Sequence, residues 1–137
     1  MPTQLTFSFH HRYRDKPDGI VLPTTLTFGG TIVRTFACVD TGAAYCVFSH
    51  EVGQQLGLDI ESGLPKQMGS LTGALDTFGH EVVLQTLDIS VHSVVYFAKY
   101  PGLERNLPGR TGWLEKLRLA IIHYDNLLYF DEYNPVE

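Results

Sequence analysis

The chain alternates apolar and polar residues over short stretches, which is typical of β-strands that bury one face. At the N-terminus Leu5, Phe7 and Phe9 are each separated by one polar residue, and this spacing predicts a strand followed by a charged, turn-rich loop over 10–19. Many short strands separated by turns indicate an all-β domain, either closed or sandwich-like. The further predicted strands cover residues 20–28, 31–39, 81–89, 91–97, 119–122 and 127–130.

Turn and cap signals predict how these strands are connected. A Gly-Gly pair at 29–30 predicts a tight hairpin, because a two-residue turn needs positive φ angles that glycine adopts easily. A short helix is predicted over 49–56, capped by Ser49 and ended by Gly57. One or two more helical turns are predicted over 111–117.

Composition narrows the class of protein. The 137 residues are 44% hydrophobic and 18% charged, so they can bury a sizeable core in a single domain, 1–137. A net charge of −5 leaves no basic footprint for nucleic acid. Without an apolar run long enough to span a membrane, and without a signal segment, we expect a cytoplasmic protein with no membrane partner.

Several familiar motifs for hydrolases and metal sites are incomplete. His50-Glu51 begins the zinc-protease pattern, but Gln54 stands where the second histidine is needed. The stretch 69–73 has its serine in the wrong place for a serine-hydrolase elbow. The six histidines show no ligand spacing, and two cysteines are too few for a disulfide framework or a zinc site. We therefore expect no metal and no cofactor.

One segment carries candidate chemistry. An apolar strand over 36–39 ends in Asp40-Thr41-Gly42, and Ala43 and further apolar residues follow. A carboxylate at the end of a buried strand is partly desolvated, which costs free energy unless the protein uses the charge. Aspartate is also a common turn former, so an accidental Asp-Thr-Gly in an unrelated β domain stays open.

This segment resembles the active-site loop of the retropepsin-like aspartic proteases, in their single-domain cellular or bacterial form. The stretch 106–110, followed by Thr111-Gly112-Trp113-Leu114, resembles that family's apolar-apolar-Gly-Arg segment before its one short helix. The resemblance covers about residues 18–131. It implies a retropepsin-like closed β barrel with one short C-terminal helix, and a flap over about 66–80. Glycines recur over 61–79, and this pattern predicts a mobile hairpin or loop flanked by strands.

The resemblance also implies a role for each matching residue. Asp40 corresponds to the catalytic carboxylate, and Thr41, Gly42 and Ala43 support its loop. Gly109 and Arg110 brace that loop. The implied flap and substrate-binding residues are Gly69, Ser70, Leu71, Thr72 and Gly73.

The chain carries one Asp-Thr-Gly, which is half of the two-carboxylate site that aspartic proteolysis needs. The resemblance therefore implies a homodimeric aspartic endopeptidase that acts on polypeptides, with one Asp40 from each subunit. A module of the same fold that binds peptides without cutting them is the alternative. The C-terminal run 127–130 could pack in the core or join the two subunits.

The sequence departs from the family pattern at three positions. Pro108 replaces an apolar residue before Gly-Arg. Ala44 and Tyr45 stand where viral members carry an acidic residue that pairs with the arginine, so the partner of Arg110 stays open. At positions 44 and 45 the chain is closer to the cellular and bacterial members, and the flap region, 66–80, carries no diagnostic sequence.

Overall fold

A computed structural model describes residues 1–14, 19–70 and 73–133 of the chain. Strands dominate these ranges, and the regular helix is short. The strands are β1 (Phe9–Arg12), β2 (Val21–Phe28), β3 (Thr31–Cys38), β4 (Val47–Phe48), β5 (Leu64–Ser70), β6 (Gly73–Thr86), β7 (Ile89–Ala98), β8 (Leu117–Ile122) and β9 (Leu127–Glu132). The α-helix α1 is His50–Gln55, and single 3₁₀ turns lie at Ile60–Ser62, Leu114–Lys116 and His123–Asp125.

The larger sheet has six strands and is built on the long strand β6. Its order is β3-β2-β6-β7-β4, and β5 pairs with β6 outside that path. Neighbouring strands are antiparallel except β4 and β7, which run parallel. The register of β5 and β6 runs from Leu64 opposite Gly79 to Ser70 opposite Gly73, so this pair forms a hairpin.

The smaller sheet has three strands in the order β1-β9-β8, all antiparallel. Among the described residues its strands pair only with one another, while in the larger sheet β3, β4 and β5 each pair with a single strand. The prediction of an all-β protein is confirmed. The prediction of a closed barrel is wrong. In a closed barrel the first and last strands pair with each other, whereas the described strands form two separate sheets with unpaired edges.

The hairpin and the helix predicted from local signals are confirmed. Strands β2 and β3 pair along their whole length across the Gly29-Gly30 turn, in which Gly29 has φ +58°. Helix α1 begins at the predicted cap, where the Ser49 side chain accepts a hydrogen bond of 3.2 Å from the Val52 N–H. It ends before Gly57, whose φ of +79° a residue with a side chain rarely adopts.

One local prediction is wrong, and another is confirmed only in part. The first strand is Phe9–Arg12 rather than 5–9, because its position depends on pairing with β9, where Phe9 lies opposite Phe130. The predicted C-terminal helix is a single 3₁₀ turn at Leu114–Lys116. Gly112 has φ +95°, a left-handed conformation that prevents a right-handed helix from starting before Trp113.

The buried core draws on both sheets. Leu26 and Leu84 of the larger sheet and Phe130 of the smaller one belong to the same apolar cluster. Trp113 is 2% exposed, and its indole N–H donates to the Thr86 hydroxyl at 2.8 Å, so the segment after residue 109 is anchored to β6.

No helix in the described ranges combines the length and the apolar character that a membrane crossing needs.

Candidate active site

Asp40 lies two residues after β3, in a tight turn that we call the Asp40 loop (residues 40–45). The Ala43 N–H donates to the Asp40 carbonyl at 3.2 Å, and the Gly42 N–H donates to the carboxylate Oδ1 at 2.9 Å. The side chain is half-buried, whereas Thr41 and Gly42 are exposed. The carboxylate is therefore oriented by its own loop and remains open to a second molecule.

Glycine suits position 42 because the Asp40 carboxylate lies where a side chain at this position would begin. A Cβ at Gly42 would lie 3.2 Å from Asp40 Oδ1, which is tighter than an ordinary van der Waals contact. A larger residue at position 42 would therefore push the carboxylate away from its N–H donor.

The Gly109-Arg110 segment packs against the backbone of the Asp40 loop. The Arg110 N–H donates to the Ala43 carbonyl and the Thr111 N–H to the Ala44 carbonyl, both at 2.9 Å. Tyr45 and Thr111 form a parallel bridge. The structure thus brings together the two sequence elements that carried the family resemblance.

Gly109 has no space for a side chain. A Cβ there would lie 2.2 Å from the Tyr45 carbonyl oxygen and 2.8 Å from the Ala43 carbonyl oxygen. Both atoms belong to the backbone of the Asp40 loop, so neither can rotate away. Glycine at this position lets the two segments approach closely enough to form their hydrogen bonds.

Pro108, which departs from the family pattern, fits the structure without disrupting this contact. Leu107 exchanges two backbone hydrogen bonds of 2.8 Å with Val47, and the Pro108 ring is fully buried. Proline removes an N–H donor, but the neighbouring residues supply the pairing on either side.

Asn106 has a bracing position that the sequence reasoning missed. Its Oδ1 accepts a hydrogen bond of 2.9 Å from the Ser49 N–H, and its Nδ2 donates to the Phe36 carbonyl at 3.0 Å. Its backbone carbonyl accepts from the Cys38 N–H at 2.8 Å. One residue therefore ties the end of β3, just before Asp40, to the start of α1. Its position next to the Gly-Arg segment was visible in the sequence, but its partners were not.

Cys46 lies buried under the same junction. Its Sγ accepts a hydrogen bond from the Gly109 N–H at 3.4 Å and donates to the Thr111 carbonyl at 3.6 Å. Burial raises the pKa of the Cys46 thiol, so the thiol stays protonated at neutral pH and can donate. Cys46 is therefore a buried side chain that links Gly109 and Thr111 through hydrogen bonds.

The predicted flap falls on the β5–β6 hairpin, which we call the flap hairpin (residues 64–79). Gly69 and Gly73 lie opposite Ala74 and Ser70 near its tip and are exposed. Leu71 and Thr72 lie outside the described residues. At the base, the Lys66 ammonium lies 4.3 Å from the ring centroid of Tyr45, so a side-chain contact joins the flap hairpin to the Asp40 loop.

Arg110 contributes its backbone N–H to the site. Its side chain is exposed, and within residues 1–14, 19–70 and 73–133 the ion pair found joins Lys99 to Glu61 instead.

In the same ranges, no group of three or more His, Cys, Asp and Glu side chains could hold a metal ion. Asp40 is the one charged residue of the Asp40 loop.

The part of the chain that carries Asp40 matches a protein-family model. No curated protein matches the chain. A family model described as aspartyl protease matches residues 24–98. The matched residues run from β2 to the end of β7 and include the Asp40 loop and the flap hairpin, and they are more than half of the chain. The chain therefore belongs to the aspartyl protease family.

Proposed function

We propose that the protein is an aspartic endopeptidase that works as a homodimer, with one Asp40 carboxylate from each subunit. Family membership supports peptidase activity on polypeptide substrates. The observation that carries the finer proposal is the Asp40 loop itself. It holds one half-buried carboxylate in a fixed orientation and leaves Thr41 and Gly42 exposed beside it.

The chemistry requires a second carboxylate. Two carboxyl groups about one hydrogen bond apart cannot both ionise, so they share a proton. The ionised group takes a proton from a water molecule, which attacks the peptide carbonyl, while the protonated group donates to the carbonyl oxygen. Because these 137 residues hold one Asp-Thr-Gly, we propose that a second copy of the chain supplies the second group.

A two-fold axis close to Asp40 would satisfy this requirement. In a symmetric dimer the same surface patch meets its own copy. Thr41 and Gly42 are exposed in the single chain and are available for such a contact. We expect the Thr41 hydroxyl to bond to the opposite loop, so that both carboxylates are held in place before substrate binds.

Substrate would then lie in an extended conformation between the Asp40 loops and the flap hairpin. Such a segment is bound by main-chain hydrogen bonds, as an added strand, and its alternate side chains enter pockets. Gly69 and Gly73 near the flap tip are exposed and carry no side chain that would obstruct the backbone of a peptide.

The first test compares the wild type with Asp40→Asn and with Asp76→Asn. The control residue Asp76 is an exposed carboxylate on the flap hairpin, whose Oδ1 accepts from Gln67 Nε2 at 3.1 Å. Light scattering gives the solution mass, and a mixed peptide library between pH 4 and 7 gives cleavage. We expect a dimer, loss of at least about 10³-fold in cleavage for Asp40→Asn, and little change for Asp76→Asn.

A mixing experiment tests whether the two carboxylates belong to different chains. Adding an equal amount of Asp40→Asn protein to a fixed amount of wild type should reduce activity to about half once subunits exchange, because half of the wild-type chains then pair with an inactive one. Activity that stays constant would show that each chain acts alone. A monomer that cleaves nothing would favour a peptide-binding module of the same family.

A further inference from the structure

Lys66 links the flap hairpin to the Asp40 loop through an aromatic pair. Its Nζ lies 4.3 Å from the centroid of the Tyr45 ring and 6.0 Å from that of Tyr96. The two tyrosine rings meet edge to face, with centroids 5.6 Å apart and an interplanar angle of 69°. A positive charge is therefore held at the junction between two segments that, in the proposed enzyme, enclose the substrate.

The backbone around this cation is well fixed. The hydroxyl of Thr77, which is 1% exposed, donates to the Lys66 carbonyl at 2.7 Å. Gly79 has no side chain, and a Cβ there would lie 2.9 Å from the Tyr96 ring, so glycine makes room for that ring. Tyr45 is held from the other side by its bridge to Thr111. The ammonium is thus positioned before any ligand arrives.

Lys66 and Lys99 differ in their carboxylate partners within the part of the chain that the structure describes. Lys99 also lies over a tyrosine, 5.2 Å from the Tyr100 centroid, and pairs with Glu61 at 3.5 Å. Within the described ranges, no carboxylate lies in ion-pair distance of Lys66. An ammonium has three N–H donors, and an aromatic face occupies one side of it. Donors of Lys66 therefore remain available to a carboxylate from another molecule.

We infer that Lys66 selects polypeptides with an aspartate or glutamate side chain at the position that passes between the flap hairpin and Tyr45. The inference rests on the proposed function, which places an extended peptide between these segments. Since the whole chain carries a net charge of −5, its long-range field repels acidic peptides. A preference for an acidic residue would thus have to come from a local contact.

The test separates binding from cleavage. Peptides based on one sequence from the mixed library, each with Glu, Gln or Lys at one scanned position, are bound to the Asp40→Asn protein and followed by fluorescence anisotropy. We expect the Glu peptide to bind about ten-fold more tightly than its Gln counterpart at one position. In the Asp40→Asn background, Lys66→Met should abolish this ratio, Lys66→Glu should reverse it in favour of Lys, and Lys66→Arg should preserve it.

Lys99→Met is the matched control, because it also removes a lysine that lies over a tyrosine, and it should keep the wild-type ratio. The inference is overturned if no position prefers Glu, if no peptide binds, or if Lys66→Met keeps the preference. The Arg variant shows that a lost preference reflects charge rather than a misfolded hairpin. Cleavage by the protein with Asp40 intact is measured in parallel. Acidic preference without cleavage would contradict the proposed function and leave the role of Lys66 standing.

Discussion

The Asp40 loop and the flap hairpin are held in very different ways. The loop receives backbone hydrogen bonds from Arg110 and Thr111, lies over the buried Cys46, and is anchored at its root by Asn106. At the flap hairpin, residues 73–75 pair with β5 alone among the described strands. A Cβ added at Gly69 or Gly73 would have open space around it, because no described atom outside the neighbouring residues lies within 4 Å.

This difference fits the tasks that we propose for the two regions. A reacting carboxylate has to stay within a fraction of an ångström of its working position, so its loop needs support from several segments. A segment that admits a polypeptide has to open, and such segments come from the less stable parts of a fold. We therefore expect the same substitution to have very different consequences in the two regions.

The largest effect is expected from adding one methyl group to each region. Gly109→Ala would place a Cβ against two backbone carbonyls of the Asp40 loop, so we expect a loss of about 3 kcal/mol or more in the free energy of unfolding, with loss of cleavage. Gly69→Ala, on the open flap hairpin, should change stability by less than about 1 kcal/mol. Urea unfolding measures both, and similar losses for the two variants would contradict the comparison.

Removing a side-chain amide from each region should have the next largest effect. Asn106→Ala leaves the Ser49 N–H and the Phe36 carbonyl without their partner, at a cost of about 2 kcal/mol. Gln67→Ala removes an exposed amide that donates to Asp76, at a cost of less than about 0.5 kcal/mol. Thermal melts of the two variants test this, and equal melting temperatures would show that Asn106 does not brace the loop.

Replacing either cysteine by alanine is expected to have a smaller effect on stability. Cys46→Ala removes a buried Sγ that accepts from Gly109, and should cost about 1 kcal/mol. Cys38→Ala, at a half-buried site, should cost less. Denaturant titration of the two variants decides the order, and a larger loss for Cys38→Ala would refute it.

The Cys46 thiol also predicts a pH dependence. Burial raises its pKa in the folded protein above the ordinary value of 9.0, so the unfolded chain loses this proton first as the pH rises. The stabilisation is complete below about pH 9 and is lost as the pH climbs through the folded-state pKa. In the Cys46→Ala variant, this part of the alkaline loss of stability should disappear. An unchanged alkaline profile would contradict the assignment.

Much of the fold could be predicted because its signals are local. The β2–β3 hairpin depends on its own side-chain alternation and on Gly29-Gly30, and α1 depends on the cap at Ser49 and the stop at Gly57. Strand β1 could not be placed, because pairing with β9 at the other end of the chain decides which residues extend. The arrangement of the strands into two sheets could not be predicted either, because it also depends on pairing between distant parts of the chain.

The candidate site also has a part that could be predicted from the sequence and a part that could not. The motifs identify Asp40 and the Gly109-Arg110 segment by residue type and order, and the structure brings these two together. The bracing contacts of Asn106 and the cation–π contact of Lys66 were not predictable. An asparagine or a lysine in a loop or strand has no pattern of its own, and its role depends on which distant atoms come within hydrogen-bonding or Coulomb range.

The sequence by itself determined the all-β character, the local turns and caps, and the single Asp-Thr-Gly that identifies the candidate carboxylate. These features depend on backbone preferences and side-chain spacing within a few residues. The tertiary structure alone decided that the strands form two sheets instead of a closed barrel, that Gly109 touches the Asp40 loop, and that Lys66 lies over Tyr45. The physical reason is that each of these contacts joins segments far apart in the chain, and packing of the common core brings them together.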